Sequence, residues 1–169
     1  MFFGVLTGKV DVGTPLYFYR KEIFIMAVEY SYIPTQVVAV DENVLFLNGS
    51  RCCKKGLIIH NDSSGIFRIK SGGSGCGRAI YKVHFNANIA IAEGGTVEPI
   101  SVALTQNGEV MGNTISAVTP VAIGDLWSIS FETFVEVPCG CCDTIAIRNV
   151  SDTTDIDVVN ANIVIDRIA

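Results

Sequence analysis

Arg78-Ala-Ile-Tyr-Lys-Val-His-Phe-Asn-Ala-Asn-Ile-Ala-Ile91 is the stretch whose alternation decides the fold. Tyr81, Val83, Phe85, Ala87, Ile89 and Ile91 fall on one side of an extended chain, and Lys82, His84, Asn86 and Asn88 on the other. Successive side chains of a strand point to opposite faces, so this reads as a long strand with one face in a core and one face polar. Both ends are punctuated. Ser71-Gly-Gly-Ser-Gly-Cys-Gly77 before it is too glycine-rich for anything but a loop, and Glu93-Gly94-Gly95 after it is a turn.

Working outward, Val97–Thr105 repeats the pattern, with Ile100, Val102 and Leu104 alternating against Ser101, Ala103 and Thr105. Asn107-Gly108 then signals a hairpin, because a type I′ turn needs positive φ at both central positions. Val110–Thr119 is the returning strand. Gly124-Asp125 opens a long strand over Leu126–Val137, with Trp127, Ile129, Phe131, Thr133, Val135 and Val137 predicted inward. Upstream, Gln36–Leu47 is extended with a break at Asp41-Glu42-Asn43, and Leu57–His60 and Ile66–Lys70 are short strands. Thr144–Asn149 and Ile156–Ile168 complete the chain. Nine or ten strands with turns between them indicate an all-β, two-sheet sandwich over residues 35–169, with residues 1–34 as an N-terminal arm.

Composition agrees. The 169 residues include 20 Val, 20 Ile and 11 Thr against 7 Leu and 6 Lys, a balance that favours pleated sheets over helices. Twelve Lys plus Arg against seventeen Asp plus Glu leave a net charge of −5 and no basic tract, which argues against a nucleic-acid partner. No uninterrupted apolar run approaches the roughly 20 residues of a membrane-spanning helix. So apolar a sheet protein is expected to bury surface in an oligomer.

The first 25 residues differ from the rest. They lack the ordered basic, apolar and small-residue regions of a secretory signal. Arg20-Lys21-Glu22 can be encoded by a purine-rich ribosome-binding sequence a short distance before Met26. The expectation is that Met26 is the true start and residues 1–25 translated leader; an ordinary arm is the alternative.

Four pieces in order resemble the globular heads of tumour-necrosis-factor-type and complement-type proteins: Gly65-Ile66-Phe67, Tyr81-x-Val83-x-Phe85, Val102-Ala103-Leu104 with Asn107-Gly108-Glu109, and Gly124-Asp125-x-Trp127. The resemblance spans about residues 36–169 and implies a ten-strand jelly roll that assembles as a homotrimer. It places the inner, axis-facing sheet near 36–47, 99–106, 126–137 and 156–168. The faces there turned from the core carry Ser101, Ala103, Thr105, Ser128, Ser130, Phe134, Asn160 and Asn162, which become the expected trimer interface. Small neutral polar groups allow close approach without burying many unpaired charges. The strand Val159–Ile165 lacks the aromatics common in the complement branch, and no collagen-like stem precedes the head. The Asn160-Ala161-Asn162 strand and the Pro138-Cys139-Gly140-Cys141-Cys142 loop are similar to small proteins of Firmicutes spore surfaces and phage virions.

Six cysteines, Cys52, Cys53, Cys76, Cys139, Cys141 and Cys142, all lie in or beside loops. A disulfide staple, free thiols and a zinc site in which Cys52, Cys53 or His60 join Cys139 and Cys142 all fit this distribution. His60 and His84 have no serine or acid partner pattern of a triad, and Asp152, Asp155 and Asp157 fit a solvated turn better than a calcium loop. No catalytic residue, metal or cofactor is assigned. The reading is a non-enzymatic, self-assembling protein that builds or decorates a virion or spore surface, with a capsid or spore-coat protein as partner. A head that binds carbohydrate or protein through loops 71–77 and 107–114 is the alternative.

Overall fold

The computed structural model describes residues 27–49, 56–61, 64–72 and 77–169. Strong alternation and few helix formers give twelve strands among them: β1 (Ala27–Tyr32), β2 (Gln36–Val38), β3 (Asn48–Gly49), β4 (Ile58–His60), β5 (Ile66–Lys70), β6 (Ala79–Ile91), β7 (Ile100–Gln106), β8 (Glu109–Val110), β9 (Ser116–Val118), β10 (Trp127–Val137), β11 (Cys142–Asn149) and β12 (Ile156–Arg167). The count exceeds the expected nine or ten because β1 and β3 are additional strands and a short 3-10 turn at Gly112–Thr114 divides Val110–Thr119 between β8 and β9.

One antiparallel sheet has the order β10-β6-β12-β1-β3, with β2 also on β12; the other runs β4-β5-β11-β7-β8, with β9 also on β7. The two sheets enclose one core. On β6 the alternation holds along its length, with Tyr81, Val83, Phe85, Ile89 and Ile91 fully buried and Ala87 nearly so. Phe46 meets Phe67 in a tilted contact and Phe85 edge-on, with centroids 5.4 and 6.5 Å apart, the geometry aromatic quadrupoles favour. Asn149 is buried, and its amide donates to the carbonyls of Val38 and Thr154 at 3.0 and 3.1 Å, which ties both neighbouring segments to the end of β11.

Two glycines show why the sequence pieces recur in this order. A Cβ on Gly65 would sit 2.6 Å from the Cβ of Asn43 and 2.7 Å from the Val44 carbonyl, so the chain can pass only where that side chain is missing. Asn107 and Gly108 have φ of 52° and 87°, the left-handed pair of the expected turn between β7 and β8.

Three expectations change. Residues 27–32 do not stand apart from the sandwich as an arm would: β1 pairs with β12 along its whole length. Residues 1–25, and the leader reading, lie outside the described residues. Strand β7 belongs to the second sheet, beside β11, and not to the sheet holding β10 and β12. Trp127 is 43% exposed although its parity is inward; it begins the edge strand β10, where no further strand covers it, and its indole donates to Asp125 at 2.9 Å.

Candidate self-assembly surface

The three longest strands, β10, β6 and β12, lie side by side and present one broad outer face. Their registers set that face in rows. Phe134, Lys82 and Asp166 form one row, ending at Ala27 of β1; Glu132, His84 and Val164 form the next, ending at Glu29. Ser130, Asn86, Asn162 and Ser31 follow. Side chains of directly opposed residues lie close enough to interact, so a row acts as a unit.

Two ion pairs and one amide-to-carboxylate hydrogen bond organise this face. Lys82 Nζ meets Glu132 Oε2 at 2.8 Å, Arg78 meets Glu136 at 3.2 Å, and the Asn162 amide donates to Glu29 at 2.8 Å. A shallow groove of about 380 Å³ runs through it, lined by Ala27, Lys82, His84, Glu132, Val164 and Asp166. Phe134 stands beside it, 58% exposed. At the other end of β10, Val121, Ile123, Leu126 and Trp127 are exposed within seven residues of chain. That run of apolar residues lies in a glycine-marked loop, which pattern analysis of strands alone passes over.

Of the residues expected at the interface, Ser128, Ser130, Phe134 and Asn162 lie on this face. Asn160 is exposed at a bulge between Val159 and Asn162, where its φ of 53° is one that asparagine tolerates. Ser101, Ala103 and Thr105 do not join them. They lie in the other sheet, where Ala103 and Thr105 are buried within the chain. Their polarity is satisfied internally, Ser101 donating to the Val150 carbonyl at 3.1 Å and Thr105 to the Ala146 carbonyl at 3.2 Å. Small polar residues mark an intrachain hydrogen-bonded layer as readily as an interface, which is why spacing alone could not separate them.

Cys139, Cys141 and Cys142 are exposed around the turn joining β10 to β11. Cys52, Cys53 and Cys76 lie outside the described residues. His60 packs between Tyr30 and Phe67, with ring centroids 4.7 and 4.4 Å away, and its Nε2–H donates to the Ser64 carbonyl. Among the described residues no group of three or more His, Cys, Asp or Glu could hold a metal ion, and no helix is long and apolar enough to cross a membrane. Asp155 and Asp157, at the start of β12, have different settings. Asp155 accepts from the Val40 amide at 3.2 Å, whereas Asp157 is pushed up by burial and by nearby Glu93. Across from them, hydrogen bonds from Thr154 and Thr153 hold Glu98 below its ordinary value.

With this geometry in place, known structures supply the comparison. The chain is similar to the Eiger tumour necrosis factor of S. frugiperda, with a TM-score of 0.60 at 14% identity, covering 86% of this chain and 93% of that one. It is similar to murine APRIL, with a TM-score of 0.53 at 9% identity over 83% and 98% of the two chains. The globular domain of zebrafish complement 1qA follows at 0.50 and 11% identity, over 86% and 98%. The fold is the tumour-necrosis-factor-like jelly roll. At these identities the likeness concerns the fold alone. No protein-family model and no curated protein matches the sequence.

Proposed function

We propose that this jelly roll is a non-enzymatic structural or display head that assembles as a homotrimer and builds or decorates a phage virion or a spore surface. The observation that carries the reading is the outer face of β10, β6 and β12. It is broad, its lysine and arginine charges are already paired, and Phe134 projects from it into solvent. Phe134 stands between Glu132 and Glu136 on its own strand and opposite Lys82, and an aromatic so exposed is costly on an isolated head and an anchor when a second head packs against it. The exposed Val121–Trp127 run extends the same apolar demand along the edge strand. The tumour-necrosis-factor-like and complement-type heads that share this fold commonly form homotrimers, and a closed ring uses one such face and one edge per protomer. Ser128, Ser130, Phe134, Asn160 and Asn162 remain the proposed contact residues, without the three on β7.

Light scattering at micromolar concentration should give a mass near three chains. Phe134→Asp places a charge in the middle of the contact and should lower that mass while leaving the fold intact. A stable monomer in the unmutated protein overturns the assembly reading. Proteomics of purified virions and spores then separates the two surfaces.

A head that recognises a ligand through its loops has one observation in its favour. Beside the Asn107-Gly108 turn, a cleft of about 240 Å³ contains Asn43, Thr105, Thr144 and Arg148. The Arg148 guanidinium bonds to Asn43 and the Gly108 carbonyl and, among the described residues, to no carboxylate. Such a cleft suits an acidic sugar, and binding of acidic but not neutral glycans that is lost in Arg148→Gln would favour this second reading.

A further inference from the structure

The cysteine-bearing turn holds chemistry that assembly does not use. Cys141 N–H donates to the Pro138 carbonyl at 3.1 Å and Gly140 has a φ of 71°, which closes a tight turn from β10 into β11. Ser71 fixes it from the neighbouring loop, its amide and hydroxyl both donating to the Cys141 carbonyl at 3.2 and 3.3 Å. Cys142 is therefore held at the first position of β11, opposite Lys70 on β5.

Two residues along β5, Arg68 points back to this sulfur. Its Nε and Nη2 lie 3.2 and 2.9 Å from Cys142 Sγ, two donors from one rigid fork. No acid competes for the guanidinium among the described residues. The nearest carboxylate in sequence, Asp143, is on the opposite face of the strand, where Gln106 and Asn107 donate to it at 2.7 and 3.0 Å. The sulfur opens onto a shallow cleft of about 250 Å³ lined by Lys70, Ser71, Gly72, Gly140 and Cys141 as well as Cys142 itself. The sulfur is exposed, and two guanidinium donors and a lysine stand beside it, so a disulfide that carries carboxylates can approach it along the cleft.

We propose that Cys142 is a thiol–disulfide exchange site, with Arg68 as its positioning residue and a disulfide as its reaction partner. The Cys142 thiolate attacks one sulfur of the incoming disulfide, and a new S–S bond forms as the old one breaks. The second sulfur leaves as a thiolate with the bonding electron pair and takes its proton from water. Cys142 is oxidised and the released thiol is the reduced product, so no further oxidant is required. The partner is a small anionic disulfide or the mixed disulfide already formed on a second copy of this chain; attack on the latter joins the two heads.

The test uses the full chain, reduced, desalted and exposed to glutathione disulfide, with peptide mass spectrometry assigning each adduct to its sulfur. The adduct on Cys142 should form about tenfold faster than on Cys141, and Arg68→Gln should remove most of that difference, as expected for loss of charge-assisted hydrogen bonds. Arg68→Lys should retain part of it, while the melting temperature of both variants stays near that of the parent. Non-reducing electrophoresis distinguishes the two partners: a glutathionyl monomer identifies the small disulfide, and a Cys142-linked pair of chains the second copy. Equal labelling of Cys141 and Cys142 in the unmutated chain overturns the proposal without any variant. So does a Cys142 rate that Arg68→Gln leaves unchanged.

Discussion

Strands β6 and β10 pair residue for residue over eleven positions, and both alternate in sequence, yet they bury their inward sets to different depths. On β6 every inward position from Ala79 to Ile91 is buried. On β10 Val137, Val135, Thr133 and Ile129 are buried, Phe131 is only partly so and Trp127 is largely exposed. The difference is position in the sheet. Strand β6 has a neighbour on both sides, β10 and β12, whereas β10 is an edge. Alternation tells which face a side chain takes; neighbours decide how far from water that face lies.

Substitutions along the two strands should reproduce this gradient, provided they are compared at one fixed chain concentration, because the proposed assembly would add to apparent stability. Phe85→Ala removes a ring with no exposed surface, in contact with Phe46 and Phe131, and should cost about 3–5 kcal/mol in chemical denaturation. Phe131→Ala should cost about 1–2 kcal/mol, because part of its ring already meets solvent. Trp127→Ala should cost the least of the three, about 1 kcal/mol or less, since 43% of its surface already meets water at the sheet edge. Equal costs at Phe85 and Phe131 would break the comparison.

The smallest effect is electrostatic and lies on the polar side of a central strand. Asp157 of β12 sits between Val37 of β2 and Ala90 of β6, and burial, then Glu93, raise its pKa above the ordinary 3.8. The folded chain therefore holds this proton more tightly than the unfolded one. Its favourable contribution is complete below pH 3.8 and disappears as pH rises through the raised value. Asp157→Asn should accordingly be the more stable protein at neutral pH, with the gap closing on acidification. Glu98 works in the opposite sense, since its lowered pKa gives a contribution that is lost as pH falls. The informative curve is thus the difference between Asp157→Asn and its parent, not either melting profile alone. A gap independent of pH would show that Asp157 is as solvated as an edge residue.

Alternation and turn chemistry were enough to read the class of fold and much of its detail. Period-two alternation from Tyr81 to Ile91 and from Ile100 to Leu104, the Asn107-Gly108 turn and the Gly65-Ile66-Phe67 entry were all legible, because each depends on short-range geometry that a few residues express. Phe134 was legible as an outward aromatic for the same reason. Tertiary structure alone decided which sheet each strand joins. Ser101, Ala103 and Thr105 have the same small, polar look as Ser128 and Ser130, but β7 pairs with β11 across some forty residues of chain, and that partner covers what a different partner would expose. It also brought Arg68 to Cys142, seventy-four residues away, through the register of β5 on β11. Side-chain parity is a local property of an extended backbone; strand partnership, edge position and the meeting of distant charges are set by the packing of the whole chain, and no window of sequence contains them.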